Sequence, residues 1–211
     1  MATVARKKSR RTASREARRR QLIDATMKCI ARKGLGNTSI GDVASEAGLS
    51  QGIVNLHFES KDNLLTETLR TLANEYREQF DRTLAKAGPH PADALRALLE
   101  MDLKPKLLDR QKLAIWFAFW GEVKSRPSSR RICDEYDRYY DSVVEKLCAE
   151  IIAEGGYTNI TAAAAAEALT CMTNGLWLSC LISPKDFDRD IGWNAIMSYL
   201  ANVFPKHYET A

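Results

Sequence analysis

From Ser50 to Lys61 the chain reads Ser-Gln-Gly-Ile-Val-Asn-Leu-His-Phe-Glu-Ser-Lys. Wound as a helix, this segment turns Ile53, Val54 and Phe58 inward and leaves Gln51, Gly52, Asn55 and Leu56 outward. Gln and Asn amides can bond adenine bidentately, and a Leu side chain can touch a thymine methyl. Lys61 follows the helix, where its ammonium can sit on a phosphate. A second set of residues is aromatic. Trp116 and Trp120 share a helix face in Leu113-Ala-Ile-Trp-Phe-Ala-Phe119-Trp120, Tyr136, Tyr139 and Tyr140 follow, and Trp177 stands in Gly175-Leu-Trp-Leu178. Glu122, Asp134, Asp137 and Asp141 are close to these in sequence. Rings with a carboxylate nearby can hold a quaternary ammonium, at about 0.5–2 kcal/mol per cation–π contact. Aromatics at helical spacing are also the material of an ordinary core, and spacing leaves both readings open.

The outward row needs a frame. Thr38 or Ser39 can cap a helix in which Ile40, Val43, Ala44 and Ala47 form one apolar face. Gly48 stands where that helix must stop, because glycine takes the left-handed conformation without steric cost. Leu49 can plug the corner, and Ser50 can cap the next helix. These are the parts of a helix–turn–helix, whose second helix enters the major groove; they are also the parts of a plain αα-hairpin. Charge separates the two. Residues 1–20 hold nine Lys or Arg (Arg6, Lys7, Lys8, Arg10, Arg11, Arg15, Arg18, Arg19 and Arg20) against Glu16 alone. That is about +8 in a chain whose total is +4, the electrostatic footprint of a nucleic-acid binder.

Arg20-Gln-Leu-Ile-Asp-Ala25, Gly34, Thr38-Ser39-Ile40, Val43-Ala44, Ala47-Gly48-Leu49-Ser50, Gly52, His57-Phe58, Ser60-Lys61 and Leu64-Leu65 resemble the DNA-binding domain of TetR-type repressors over roughly residues 14–65. The resemblance implies an all-helical homodimer whose second domain binds a small-molecule effector and so controls affinity for double-stranded operator DNA. It also implies that Ser39, Gln51, Gly52, Ile53, Asn55, Leu56, His57 and Lys61 face DNA. Asn55 departs from the family, which usually has Tyr there. Further patches look like the choline-pathway, BetI-type branch of that family: Arg18-Arg-Arg-Gln-Leu-Ile-Asp-Ala-Thr26, Trp116-x-Ala-Phe-Trp120, Ser128-Ser-Arg-Arg131 and Gly175-Leu-Trp-Leu178. That likeness implies choline as the signal. The aromatic reading, independent of it, offers Trp116, Phe119, Trp120, Tyr140 and Trp177 as the ligand-binding residues. A bulky lipophilic effector would also want rings, but no anionic partner.

The rest of the chain reads as helix. A long helix over 60–87, about 40 Å of rise, is capped by Ser60 and stopped by Gly88-Pro89. Helices are expected over 91–108 with a break at Pro105, then over 109–124, 128–154, 161–181 and 186–203, where Gly or Pro ends each in turn. The expected fold is therefore all-α, with about nine helices. A disordered basic arm (1–13) would precede a three-helix helix–turn–helix DNA-binding domain (14–60) and a helical ligand-binding and dimerisation domain (61–211). The last two helices, rich in small residues, are expected by resemblance to pair with their symmetry mates. A two-fold dimer would then place two reading helices about 34–36 Å apart on a pseudo-palindrome.

Composition narrows the classes. The chain has 211 residues, 45% apolar and 27% charged. No run approaches the ~20 apolar residues of a membrane span, and the basic start lacks an apolar signal segment. Five scattered cysteines read as free thiols of a reducing cytoplasm. No Cys or His spacing resembles a zinc site, no cofactor is implied, and neither a phosphate loop after a strand nor a G-x-S-x-G elbow occurs, which argues against an enzyme.

Overall fold

The computed structural model describes residues 2–209, with side chains from Ser14 onward. The expected basic arm, 1–13, carries side chains that lie outside the described residues. Nine α-helices and no strand occur among the described residues: α1 (Ala2–Lys33), α2 (Ile40–Ala47), α3 (Gln51–Phe58), α4 (Lys61–Lys86), α5 (Pro91–Asp102), α6 (Arg110–Gly121), α7 (Pro127–Gly155), α8 (Ala162–Ile182) and α9 (Arg189–Val203). The all-α class and the number of helices are as the sequence implies.

Helix α6 ends at Gly121, three residues short of expectation, and two other boundaries differ for local reasons. Helix α5 stops at Asp102 rather than running toward Leu108. Leu103 donates its amide to Glu100 O at 3.2 Å, a tightened last turn, two residues before Pro105, and the residue before a proline is disfavoured from helical geometry. Helix α9 starts at Arg189 rather than near 186. Asp186 and Phe187 instead donate to Ser183 O, and the Asp188 carboxylate caps the amides of Asp190 and Ile191. Thr161 caps α8, accepting from Ala164 N.

The described chain divides into two compact units. One runs to Leu72 and takes in Ala114–Ser129; the other comprises Ala73–Leu113 and the chain from Arg130. The first has a core of Leu22, Cys29, Val43, Val54, Phe58 and Leu64, drawn from α1 to α4. Each such large apolar side chain stabilises by about 1.5–3 kcal/mol when fully buried. In the second, Leu95, Leu98 and Met101 of α5 pack with Ile151 of α7, Leu169 of α8 and Leu200 of α9. The C-terminal segment is tied in there: Phe204 is fully buried, and Tyr208 donates its hydroxyl to Ala92 O at 2.9 Å. No described helix is long and apolar enough to cross a membrane.

Candidate DNA-reading surface and ligand cluster

The reading head is built by caps. Ser39 accepts from Asp42 N at 3.1 Å while the Asp42 carboxylate accepts from Ser39 N at 2.9 Å, a reciprocal capping box. Hydrogen bonds from Lys33 and then Ser39 hold the Asp42 carboxyl well below the usual carboxylate range. Gly48 closes α2 at φ 63°, and Leu49 N reaches Ala44 O at 2.8 Å. Helix α3 starts differently from expectation. Ser50 occupies the cap position, but its hydroxyl makes no capping bond. The Ile53 amide, which the hydroxyl would serve, goes to the Ser50 carbonyl at 3.0 Å instead.

Within α3, Val54 and Phe58 are buried and Gln51, Gly52, Asn55 and Leu56 are exposed, Leu56 by 70%. Ser39 is exposed, whereas Ile53, His57 and Lys61 are half-buried. Ile53 thus lies between the inward place its spacing suggested and the DNA-facing place the resemblance implied. Lys61 donates to Gly36 O at 3.5 Å, a weak bond that leaves its ammonium free to turn toward a phosphate. His57 has a buried Nδ1 with no partner. Its basicity is lowered by burial and by Arg15, Arg19 and Arg18, which disfavour the charged ring.

Sequence reasoning missed two parts of this head. Arg19 counted only toward the basic run, yet its guanidinium lies 4.5 Å from the Phe58 ring centroid, donates to His57 O at 2.7 Å and pairs with Glu67 at 3.2 Å. It therefore fastens the C-terminal end of α3 to α1 and α4. Gln21 does the same for α2, donating to Ala47 O at 2.8 Å. The second missed part is Gly41. A Cβ there would meet the Gln51 amide nitrogen at 3.1 Å, so the bare backbone of α2 makes room for the first outward side chain of α3.

The five expected ligand residues fall in two sets, one in each unit. Trp116, Phe119 and Trp120 belong to the first. Phe119 is fully buried, the Trp116 and Trp120 rings lie 5.8 Å apart, and Trp116 Nε1 is buried without a partner. Tyr140 and Trp177 belong to the second, where the ring of Tyr76 joins them. Tyr76 meets Tyr140 edge-on at 4.8 Å and Trp177 edge-on at 5.6 Å. The Tyr140 hydroxyl is buried and unpartnered.

The carboxylate of this second cluster is one the sequence did not single out. Asp102, the last residue of α5, accepts from the Tyr76 hydroxyl at 2.6 Å, while Trp177 Nε1 donates to its backbone carbonyl at 2.9 Å. Among the described residues no ion pair reaches it, and a helix C-terminus is itself a poor place for negative charge. Burial pushes its carboxyl up to about 7, an effect partly offset by Tyr76. The expected carboxylates stand otherwise. Glu122 pairs with Arg126 at 2.6 Å and Asp134 with Arg130 at 3.6 Å. Asp137 is raised to about 6 by burial and by the charges of Asp141 and Asp134. A signal for Asp102 was available: it follows Leu95, Leu98 and Leu99 at helical spacing, an acid where a core leucine would stand. Tyr76 stands with Leu69, Leu72 and Phe80 at helical spacing, so by residue type it reads as one member of an apolar stripe on α4.

Comparison with known proteins agrees with both halves. A family model described as "Bacterial regulatory proteins, tetR family" matches residues 22–68, and one described as "BetI-type transcriptional repressor, C-terminal" matches residues 91–205. The chain is 34% identical to the HTH-type transcriptional regulator BetI of Paraburkholderia phymatum, over 88% of this chain and 92% of that protein. A transcriptional regulator from Pseudomonas aeruginosa PAO1 superposes with a TM-score of 0.82 at 28% identity, covering 91% of this chain and 93% of that one. A regulator from Saccharomonospora viridis, solved in complex with choline, gives a TM-score of 0.75 at 25% identity, covering 86% and 94%. With a capped reading head at its N-terminus and a family match over more than half its length, the chain belongs to the BetI-type transcriptional repressors of the TetR family, a family of regulators and not of enzymes.

Proposed function

We propose that this repressor controls genes for glycine betaine synthesis and responds to choline, working in the cytoplasm as a homodimer. The observation that carries the reading is the cluster of Tyr76, Tyr140 and Trp177 beside Asp102, an acid with no cation partner among the described residues. Rings and an uncompensated carboxyl are what a quaternary ammonium requires. The choline-bound regulator among the structural relatives supports the same effector. Choline contacts on Tyr76 would act directly on α4, the helix whose first residue is Lys61. For the ligand to change DNA affinity it must bind the two states of the protein unequally.

In this reading Gln51, Asn55 and Leu56 touch base edges, while Ser39, Gly52, Ile53, His57 and Lys61 contact or approach the backbone. Asn55 in the place of the usual Tyr sets a distinct operator preference. Leu178, Ile182 and Ile191, exposed by 42%, 69% and 69% on α8 and α9, are the apolar face that a second copy covers. Trp116, Phe119 and Trp120, in the first unit, are a separate ring set that a second effector molecule could use. Calorimetry with choline, betaine aldehyde and the neutral isostere 3,3-dimethylbutan-1-ol tests the effector. Choline is expected to bind and the isostere to bind far more weakly. Equal affinity for the isostere would replace the cation reading with a lipophilic one.

A further inference from the structure

Asp102 poses a problem that the choline reading leaves open. An ionised carboxyl at a helix C-terminus, walled by Tyr76, Tyr140 and Trp177 and lacking a cation, is unstable until a cation arrives. Without a cation beside it, the carboxyl relieves that cost by holding a proton. We propose that effector binding is coupled to loss of this proton, so that the repressor reads pH together with the cationic effector. The proposal rests on the cation-cage reading above. On binding, the O–H bond of the Asp102 carboxyl breaks, the proton passes to solvent buffer, and the carboxylate left behind matches the charge of the ammonium. Tyr76, whose hydroxyl donates to Asp102 at 2.6 Å, keeps its own proton because burial raises it well above the ordinary tyrosine value.

The surrounding groups leave Asp102 as the one that must respond. From α4, Tyr76 is raised well above the ordinary tyrosine value by burial and stays neutral. Arg77, also on α4, is committed to the Tyr139 ring at 4.2 Å and to Asp81 at 3.8 Å. From α7, Tyr140 is likewise raised by burial, Tyr136 donates to Asn74, and Asp137 is raised to about 6. Helix α8 contributes Trp177, which does not titrate. Burial pushes Asp102 itself up to about 7, so it holds its proton on the acid side of neutrality. Among the groups just named, Asp137 is the one whose titration could imitate the effect.

The test is calorimetry of choline binding to the full chain from about pH 5.5 to about pH 8.5, in two buffers that differ in heat of ionisation. Below about pH 7 affinity should rise roughly tenfold per pH unit, with about one proton released per choline, and it should level off above about pH 8. The Asp137→Asn variant should keep that profile. Asp102→Asn should bind weakly, with a flat profile and no proton release. A flat profile without proton release in the unaltered protein would overturn the coupling while leaving choline as the effector. So would a profile that vanishes in Asp137→Asn or survives in Asp102→Asn. Failure of choline to bind at any pH would overturn the cage reading itself, and the coupling with it.

Discussion

The reading head and the aromatic cluster place their working groups in opposite ways. The head keeps its chemistry outside its frame. Gln51, Asn55 and Leu56 point to solvent, while buttresses such as Arg19, Gln21 and the Ser39–Asp42 box do the holding. The cluster makes chemistry and frame the same atoms: Tyr76, Asp102 and Trp177 hold one another through the bonds a ligand would use. A head of this kind can change its target by surface substitution at little cost in stability. A site of the second kind cannot be altered without disturbing the fold around it, and this is also what lets a ligand there influence the fold.

The sharpest way to break that contrast is Trp177→Ala. It removes a nearly buried ring and should destabilise the protein by about 3–5 kcal/mol by urea denaturation, besides abolishing choline binding. Trp177→Phe keeps a ring and should lose much less. Asp102→Asn comes next and carries a sign. Burial raises the native carboxyl to about 7, above its unfolded value of about 4, so its stabilising contribution is complete below about pH 4 and is lost as pH rises through about 7. The Asn variant lacks this slope. Without choline it should be more stable than the unaltered protein at pH 8, by on the order of 2 kcal/mol after allowance for solvent screening, and the gap should close toward pH 5 in thermal melts.

In the head, Arg19→Ala should cost about 1–2 kcal/mol and weaken binding to all duplexes alike. Lysine at that position should not restore either, because it cannot both stack and fork. Ser39→Ala should cost about 1 kcal/mol, whereas Ser50→Ala should leave denaturation nearly unchanged, since only the first hydroxyl caps its helix. Smallest in stability are Gln51→Ala and Leu56→Ala, within about 0.5 kcal/mol, yet both should change sequence preference in a duplex-selection assay. A large loss of stability in either would show that the outward row is part of the frame after all.

The same contrast explains what the sequence revealed. The head is encoded locally: cap, apolar spacing, turn glycine and outward amides lie within about 25 residues, and each has a recognisable physical signature. Its misjudged details were those that depend on distant partners. Arg19 reads as one more charge of the basic run because Phe58 and Glu67 are far along the chain, and Ser50 reads as a cap because residue type does not reveal where the Ile53 amide turns. The cluster is assembled from α4, α5, α7 and α8, so nearness in sequence pointed to Asp134, Asp137, Asp141 and Glu122 instead of Asp102. Tyr140 and Trp177 stand out in the sequence because ring chemistry is visible in residue type. The Asp102 carboxyl beside them does not, because its surroundings come only from packing.

On the proposed function, a quaternary ammonium held by the second unit sets the affinity of the head for DNA. The most direct measurement is fluorescence anisotropy of a duplex that the protein itself selects from a random pool, titrated with protein in the absence and presence of saturating choline. The account predicts that choline shifts the dissociation constant by about 5–150-fold, and that Asp102→Asn, which still binds the duplex, loses the shift. Superimposable curves for the unaltered protein with and without choline would contradict it.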